Sequence, residues 1–119
     1  MSGPVLVVGV DGTVTEFVAA VLRRGGLDAR PVRSDLAAPR ANDDEPALVL
    51  VDSDLSAVRS IRSLADPHRA GVPIVVLGAD GADANAGDEA TAAGATHYVA
   101  RPIADAVLIN GIRTILDAG

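Results

Sequence analysis

Apolar runs and amphipathic stretches alternate along the whole chain. Residues 4–10, 47–51 and 72–77 are almost unbroken Val, Leu and Ile, the composition of strands covered on both faces of a parallel sheet. Residues 27–33 and 96–100 form two further strands, and the polar 27–33 reads as an edge. Helical periodicity fills the intervals. Over 13–24, Val14, Phe17, Val18, Val21 and Leu22 share one stripe, and Gly25-Gly26 ends it. After the third strand, Leu55, Val58, Ile61 and Ala65 give a helix its inner face. An Ala-rich helix follows the Gly- and Asp-rich residues 78–88 and ends near Ala93. The last helix covers 103–117, with Ala104, Leu108, Ile112, Ile115 and Leu116 inward and Val107 and Ile109 widening its apolar surface to both sides. Residues 34–46 hold two prolines and form the least regular crossover, with at most a short helix; Asn42-Asp43-Asp44-Glu45 reads as a solvated loop. The pattern predicts (βα)5, a parallel sheet with helices on both sides.

At 119 residues the chain suits one core, which usually takes about 100 to 150 residues, so 1–119 is expected to be one domain. Neither an internal repeat nor a linker interrupts it. The formal charge of −6 offers no basic surplus to release counterions, which argues against direct nucleic-acid binding or an anionic membrane surface. All ten cations are arginine, so lysine chemistry is excluded, and the absence of cysteine excludes disulfides, thiolate metal sites and thiol catalysis. No stretch approaches the length of a membrane span, and the first apolar run is too early and too short for a signal peptide; a cytoplasmic location is expected.

Ligands of open parallel sheets gather beyond the carboxyl ends of the strands. Here those ends carry Asp11, Asp52 with Asp54, Gly78 to Asp80, and Arg101 with Pro102. Two families write sequences close to these. Residues 9–14, "GVDGTV", resemble the D-x-D-G-T-L/V motif of haloacid-dehalogenase-type phosphatases. Gly9 stands at that motif's nucleophile, and glycine has no atom that attacks phosphorus.

The whole chain resembles a response-regulator receiver domain. "ALVLVD" places Asp52 at the phosphoacceptor position, "GVPIVVLGA" matches the fourth strand with Gly78 where Thr or Ser is usual, and "GATHYVARPI" matches the fifth, with Tyr98 at the switch aromatic and Arg101 in place of Lys. The resemblance implies a flavodoxin-like doubly wound sheet of strand order 2-1-3-4-5 in a two-component or phosphorelay system. It also implies protein partners, a histidine kinase or an output domain. By register, the two acids that grip Mg²⁺ in that family fall on Gly9 and Val10, and Asp11 takes the third, accessory position.

Phosphoryl transfer to a carboxylate crowds negative oxygens together, and such sites answer with a dication, a hydroxyl and a Lys. Gly9 and Val10 supply no metal ligand, Gly78 supplies no hydroxyl, and Arg101 exchanges a compact ammonium for a broad fork. Each loss is on the order of 2 to 4 kcal/mol of transition-state stabilisation. No resident cofactor is therefore expected, although Asp11, Asp52 and Asp54 are candidates for a weak Mg²⁺ site, with Asp80 nearby. Two readings stay open: a degenerate receiver, or pseudo-receiver, that works by protein contact without enzymatic activity, and an ordinary receiver phosphorylated at Asp52 by a histidine kinase, itself catalysing that transfer.

Several residues carry a structural expectation beside the functional one. Asp52 could serve only to cap the next helix, and Asp11 to cap the helix near Thr13. Arg101 is positioned to pair with Asp52 in the resting fold and so lock one conformation. Gly78 leaves room for the Tyr98 ring to sit inward permanently. His68 and His97 have no partner at metal-ligand spacing and are expected in solvent. Val107 and Ile109 lie on the face of the Ala-rich helix, fifth strand and last helix, where the resemblance implies homodimer or partner contact.

Overall fold

The computed structural model describes residues 3–118. Five parallel strands, β1 (Val5–Gly9), β2 (Ala29–Arg33), β3 (Leu48–Asp52), β4 (Ile74–Leu77) and β5 (His97–Val99), form one sheet in the order β2-β1-β3-β4-β5. This is the flavodoxin-like arrangement expected. All of β1 and β4, and β3 up to Val51, are buried, because helices cover both faces. On one face α1 (Gly12–Arg24) and α6 (Asp105–Ala118) seal Val5, Val7, Leu48, Leu50, Val75 and Leu77. On the other, α2 (Ala37–Asp44), α3 (Leu55–Arg62) and α5 (Ala86–Ala93) meet Leu6, Val8, Val49, Val51, Ile74 and Val76. A single helical turn, α4 (Pro67–Ala70), follows α3, capped by Asp66 with Pro67 at its first position.

Edge strand β2 is polar as expected, and Arg30 and Arg33 pair there with Asp28 and Asp35. The second crossover is more regular than its prolines suggest. A 3-10 turn over Ser34–Leu36 leads into the eight-residue α2, whose third residue, Pro39, falls where backbone N–H groups lack helical partners anyway. Asn42–Asp44 therefore end a helix rather than forming the expected loop, and only Glu45 lies beyond it, at φ 48°.

Four other side-chain placements differ from the periodic reading. Ala65 lies outside α3 and is exposed, and Ala104 precedes α6, exposed as well. Phe17 turns out of the stripe that buries Val18, Val21 and Leu22 and stays 62% exposed. Ile109 faces inward on the α1–β2 turn: a Cβ at Gly25 would come within 2.8 Å of its methyl groups. Val107 is 60% exposed, as expected, so it alone of the pair offers a free apolar surface. Opposite the candidate site, Arg62 donates to the carbonyls of Gly94, Ala70 and Val72 and binds α3 to the turns before β4 and β5. Burial beneath those segments lowers its pKa from the usual guanidinium value.

Candidate functional site

The carboxyl ends of the strands build the site. β3 ends at Asp52, whose side chain keeps only 16% of its surface exposed. Across β4, Arg101 follows β5 and turns back over the sheet, and its Nη1 donates to Asp52 Oδ1 at 2.6 Å and to the Gly78 carbonyl at 3.1 Å. The expected pair between Arg101 and Asp52 is thus formed, and it is largely shielded: Arg101 itself is 21% exposed. A charge-assisted bond of this length is among the stronger polar contacts a protein makes. The Ser53 hydroxyl lies 3.3 Å from Asp52 Oδ1 and 3.1 Å from the Leu77 carbonyl, so it donates to one of them at a time. Ser53 also takes a left-handed backbone, φ 63°, unusual for a residue with a side chain.

The first strand brings no acid to this place. Gly9 is buried, and a Cβ there would lie 2.6 Å from the Thr15 methyl and 3.3 Å from Asp52 Cβ. That methyl is fixed, because the Thr15 hydroxyl lies within bonding distance of the Asp11 and Gly12 carbonyls. Val10 is 80% exposed and has no donor atom. Asp11 Oδ1 accepts from the amides of Thr13 at 2.9 Å and Val14 at 3.4 Å and caps α1, as expected. Asp54 does the same for α3: its Oδ1 accepts from the Ser56 amide at 3.1 Å and hydroxyl at 2.6 Å. Partial burial pushes the Asp54 carboxyl upward, yet the hydroxyls of Ser56 and Ser34 and the amides of Ser56 and Ala57 together outweigh it and hold the group below the usual carboxylate range.

The residues present do not suit the dication that this fold family implies. Asp11 and Asp54 are turned to their helix termini, Asp52 Oδ1 is matched by a guanidinium, and Gly9 and Val10 contribute nothing. Among the described residues no three His, Asp or Glu side chains gather at one point, so Asp11, Asp52 and Asp54 do not come together as a metal-binding set.

Tyr98 is packed inward against the face made by α2, α3 and α5, with its ring beside Gly78 and Gly87. His68 and His97 are exposed, as expected. A groove of about 460 Å³ opens beside Asp52 and Arg101, lined by Val14, Phe17, Ile103 and Leu108 with Asp80 and Asp105. Sequence reasoning missed Thr15 and Ser53. Thr15 gives no signal along the chain, since its effect is a contact with Gly9; Ser53 had only its place next to a strand-end acid.

No family model and no curated protein matches this chain. Solved structures do. A candidate response regulator from Chloroflexus aurantiacus J-10-fl shares 26% identity over 98% of this chain and 99% of its own, with a TM-score of 0.83. The signal receiver domain of a histidine kinase from Syntrophus aciditrophicus shares 20% over 98% and 92%, with a TM-score of 0.81. NtrX from Brucella abortus shares 23% over 99% of this chain, with a TM-score of 0.80; this chain spans 27% of the NtrX chain. The fold is that of response-regulator receiver domains, and its structural neighbours are such domains. Among the described residues no helix is long and apolar enough to cross a membrane.

Proposed function

We propose that the chain is a receiver module of two-component signalling that acts by binding protein partners and does not depend on phosphorylation at Asp52. The observation that carries this reading is the Asp52–Arg101 contact at 2.6 Å. A carboxylate attacks phosphorus with an oxygen lone pair: Arg101 neutralises and blocks one of the two oxygens, Oδ1, and β1 supplies no metal ligand that would bring a phosphoryl group to the other. The incoming phosphoryl group would need a cation of its own, whereas the arginine is already spent on the acceptor. No enzymatic activity is assigned, and no step passes through a metal. The phosphatase reading has no support here, because its nucleophile position is Gly9 beneath the Thr15 methyl.

The partners are a histidine kinase or an output domain, and the location is cytoplasmic. A homodimer would use the surface of α5, β5 and α6, where Val107 projects beside a groove of about 500 Å³ lined by Val99, Ile103 and Ile115. The test is a titration of isotopically labelled protein with Mg²⁺ and beryllofluoride, followed by backbone NMR. Spectra without shifts at Asp52, Gly78 and Arg101 are expected. Saturable shifts centred on those three residues would establish the ordinary phospho-accepting receiver instead.

A further inference from the structure

At the amino ends of β3 and β4, the far end of the sheet from Asp52, lies a cavity of about 670 Å³. Its floor is apolar: Ala41, Ala47 and Val72 are buried, and Pro46 and Pro73 are half-buried. The two prolines carry no N–H, and the amides of Ala47, Gly71 and Val72 are engaged by the carbonyls of Pro4, Pro67 and Arg69. Charge enters the wall with Arg69 of α4 and with Glu45, which follows α2; His68, beside Arg69, is exposed.

Two arginines tie this end of the molecule together, and they are used differently. Arg62 has an acceptor for every nitrogen: the Gly94 carbonyl for Nε, the Ala70 and Val72 carbonyls for Nη1 and the Thr96 hydroxyl for Nη2. Arg69 does not. Its Nη1 donates to the Asn42 carbonyl and its Nη2 meets Glu45 Oε1 at 2.9 Å, but Nε is buried and has no hydrogen-bond partner among the described residues. Asp66 Oδ2 stands 4.0 Å from it, too far to accept. The Nε and Nη2 hydrogens of a guanidinium point the same way and match the two oxygens of one carboxylate. Glu45 fills half of that edge, and with a side chain 69% exposed it holds its half weakly.

We propose that this cavity binds a small organic monoanion, a carboxylate carried on an apolar body. The carboxylate displaces Glu45 and takes Arg69 Nε and Nη2 together, while the body lies on the floor of Ala, Val and Pro. A dianion such as phosphate does not suit the place, because Glu45 and Asp66 already stand beside the single guanidinium. The volume falls within the range of roughly 300 to 1,000 Å³ usual for small-ligand pockets. Glu45 is then a competitor built into the chain, and it sets how much ligand is needed. The site lies at the other end of β3 from Asp52, so the inference holds whether or not Asp52 accepts a phosphoryl group.

The probe is benzoate, titrated into the isotopically labelled full chain and followed by backbone NMR. Saturable shifts are expected at Ala47, Gly71 and Val72, with none from benzyl alcohol, which lacks the charge, and none from inorganic phosphate, which lacks the apolar body. Arg69→Gln should weaken benzoate binding about tenfold or more, as loss of hydrogen bonds to a charged group does. Glu45→Gln should tighten it severalfold. The site is overturned by an absence of saturable shifts at the three residues, by shifts centred on Asp52 and Arg101 instead, by equal binding of benzyl alcohol or phosphate, or by undiminished binding in folded Arg69→Gln. Should far-UV circular dichroism show that Arg69→Gln does not fold, Glu45→Gln decides: tighter binding supports the displacement, and unchanged or weaker binding contradicts it.

Discussion

The two halves of the crevice have met the same problem differently. On the β1 side, Gly9 and Val10 stand where the resemblance places metal-binding acids, and the remaining acid, Asp11, caps a helix. On the β3–β5 side, Asp52, Arg101, Gly78 and Tyr98 keep the expected positions and are joined by direct contacts. One half contributes packing and a helix cap, while the other joins its side chains across the sheet. The arginine cation faces Asp52 with no help from β1. The spatial plan expected of Asp52, Gly78, Tyr98 and Arg101 is therefore kept on one side of the crevice without acids from the other.

The contrast is broken most severely at Gly9. Gly9→Asp drives a carboxylate into the Thr15 methyl and next to Asp52, and should cost about 3 kcal/mol in urea unfolding, as overpacking does. Adding Thr15→Ala should return part of it. Its neighbour marks the limit of the effect: Val10→Asp, at an exposed position, should stay within about 0.5 kcal/mol of the wild type. Equal losses at the two positions would remove the distinction between a packed and a vacant residue.

Next comes the cation. Arg101→Ala leaves Asp52 shielded and unpaired and should cost about 2 kcal/mol, the usual penalty for stranding a buried polar group. In an Asp52→Asn background the same change should cost clearly less, because the contact is shared. Additive losses would mean that the pair contributes no coupling.

The smallest effect belongs to the helix cap at Asp54. Asp54→Ala should cost about 1 kcal/mol near neutral pH. The folded protein holds this carboxyl below its ordinary range because the donors of Ser56, Ser34 and Ala57 together outweigh the upward push of burial. Its contribution is therefore full above the range in which the unfolded chain titrates, and it is lost as pH falls through the folded value. Wild type and variant should converge in strong acid, and a gap that widens there would reverse the assignment.

The strands were legible because burial on both faces leaves almost no polar residue in β1, β3 and β4. Asp52 and Arg101 were legible for a related reason: the order of a parallel sheet fixes which strand ends meet. Periodicity failed where an apolar residue serves something other than the core. Phe17 lines the groove beside α6, and Ile109 fills the space left by Gly25, a contact that only the folded chain creates. The obstruction between Thr15 and Gly9 has the same character. It depends on a hydroxyl bonded to helix carbonyls that turns a methyl toward β1, and no spacing along the sequence announces that.

The most direct test of Asp52 as a paired rather than a phosphorylated acid is intact-mass spectrometry after incubation with acetyl phosphate and Mg²⁺. The mass is expected to remain that of the unmodified chain. A stoichiometric phosphoryl adduct that disappears in Asp52→Asn would contradict the account.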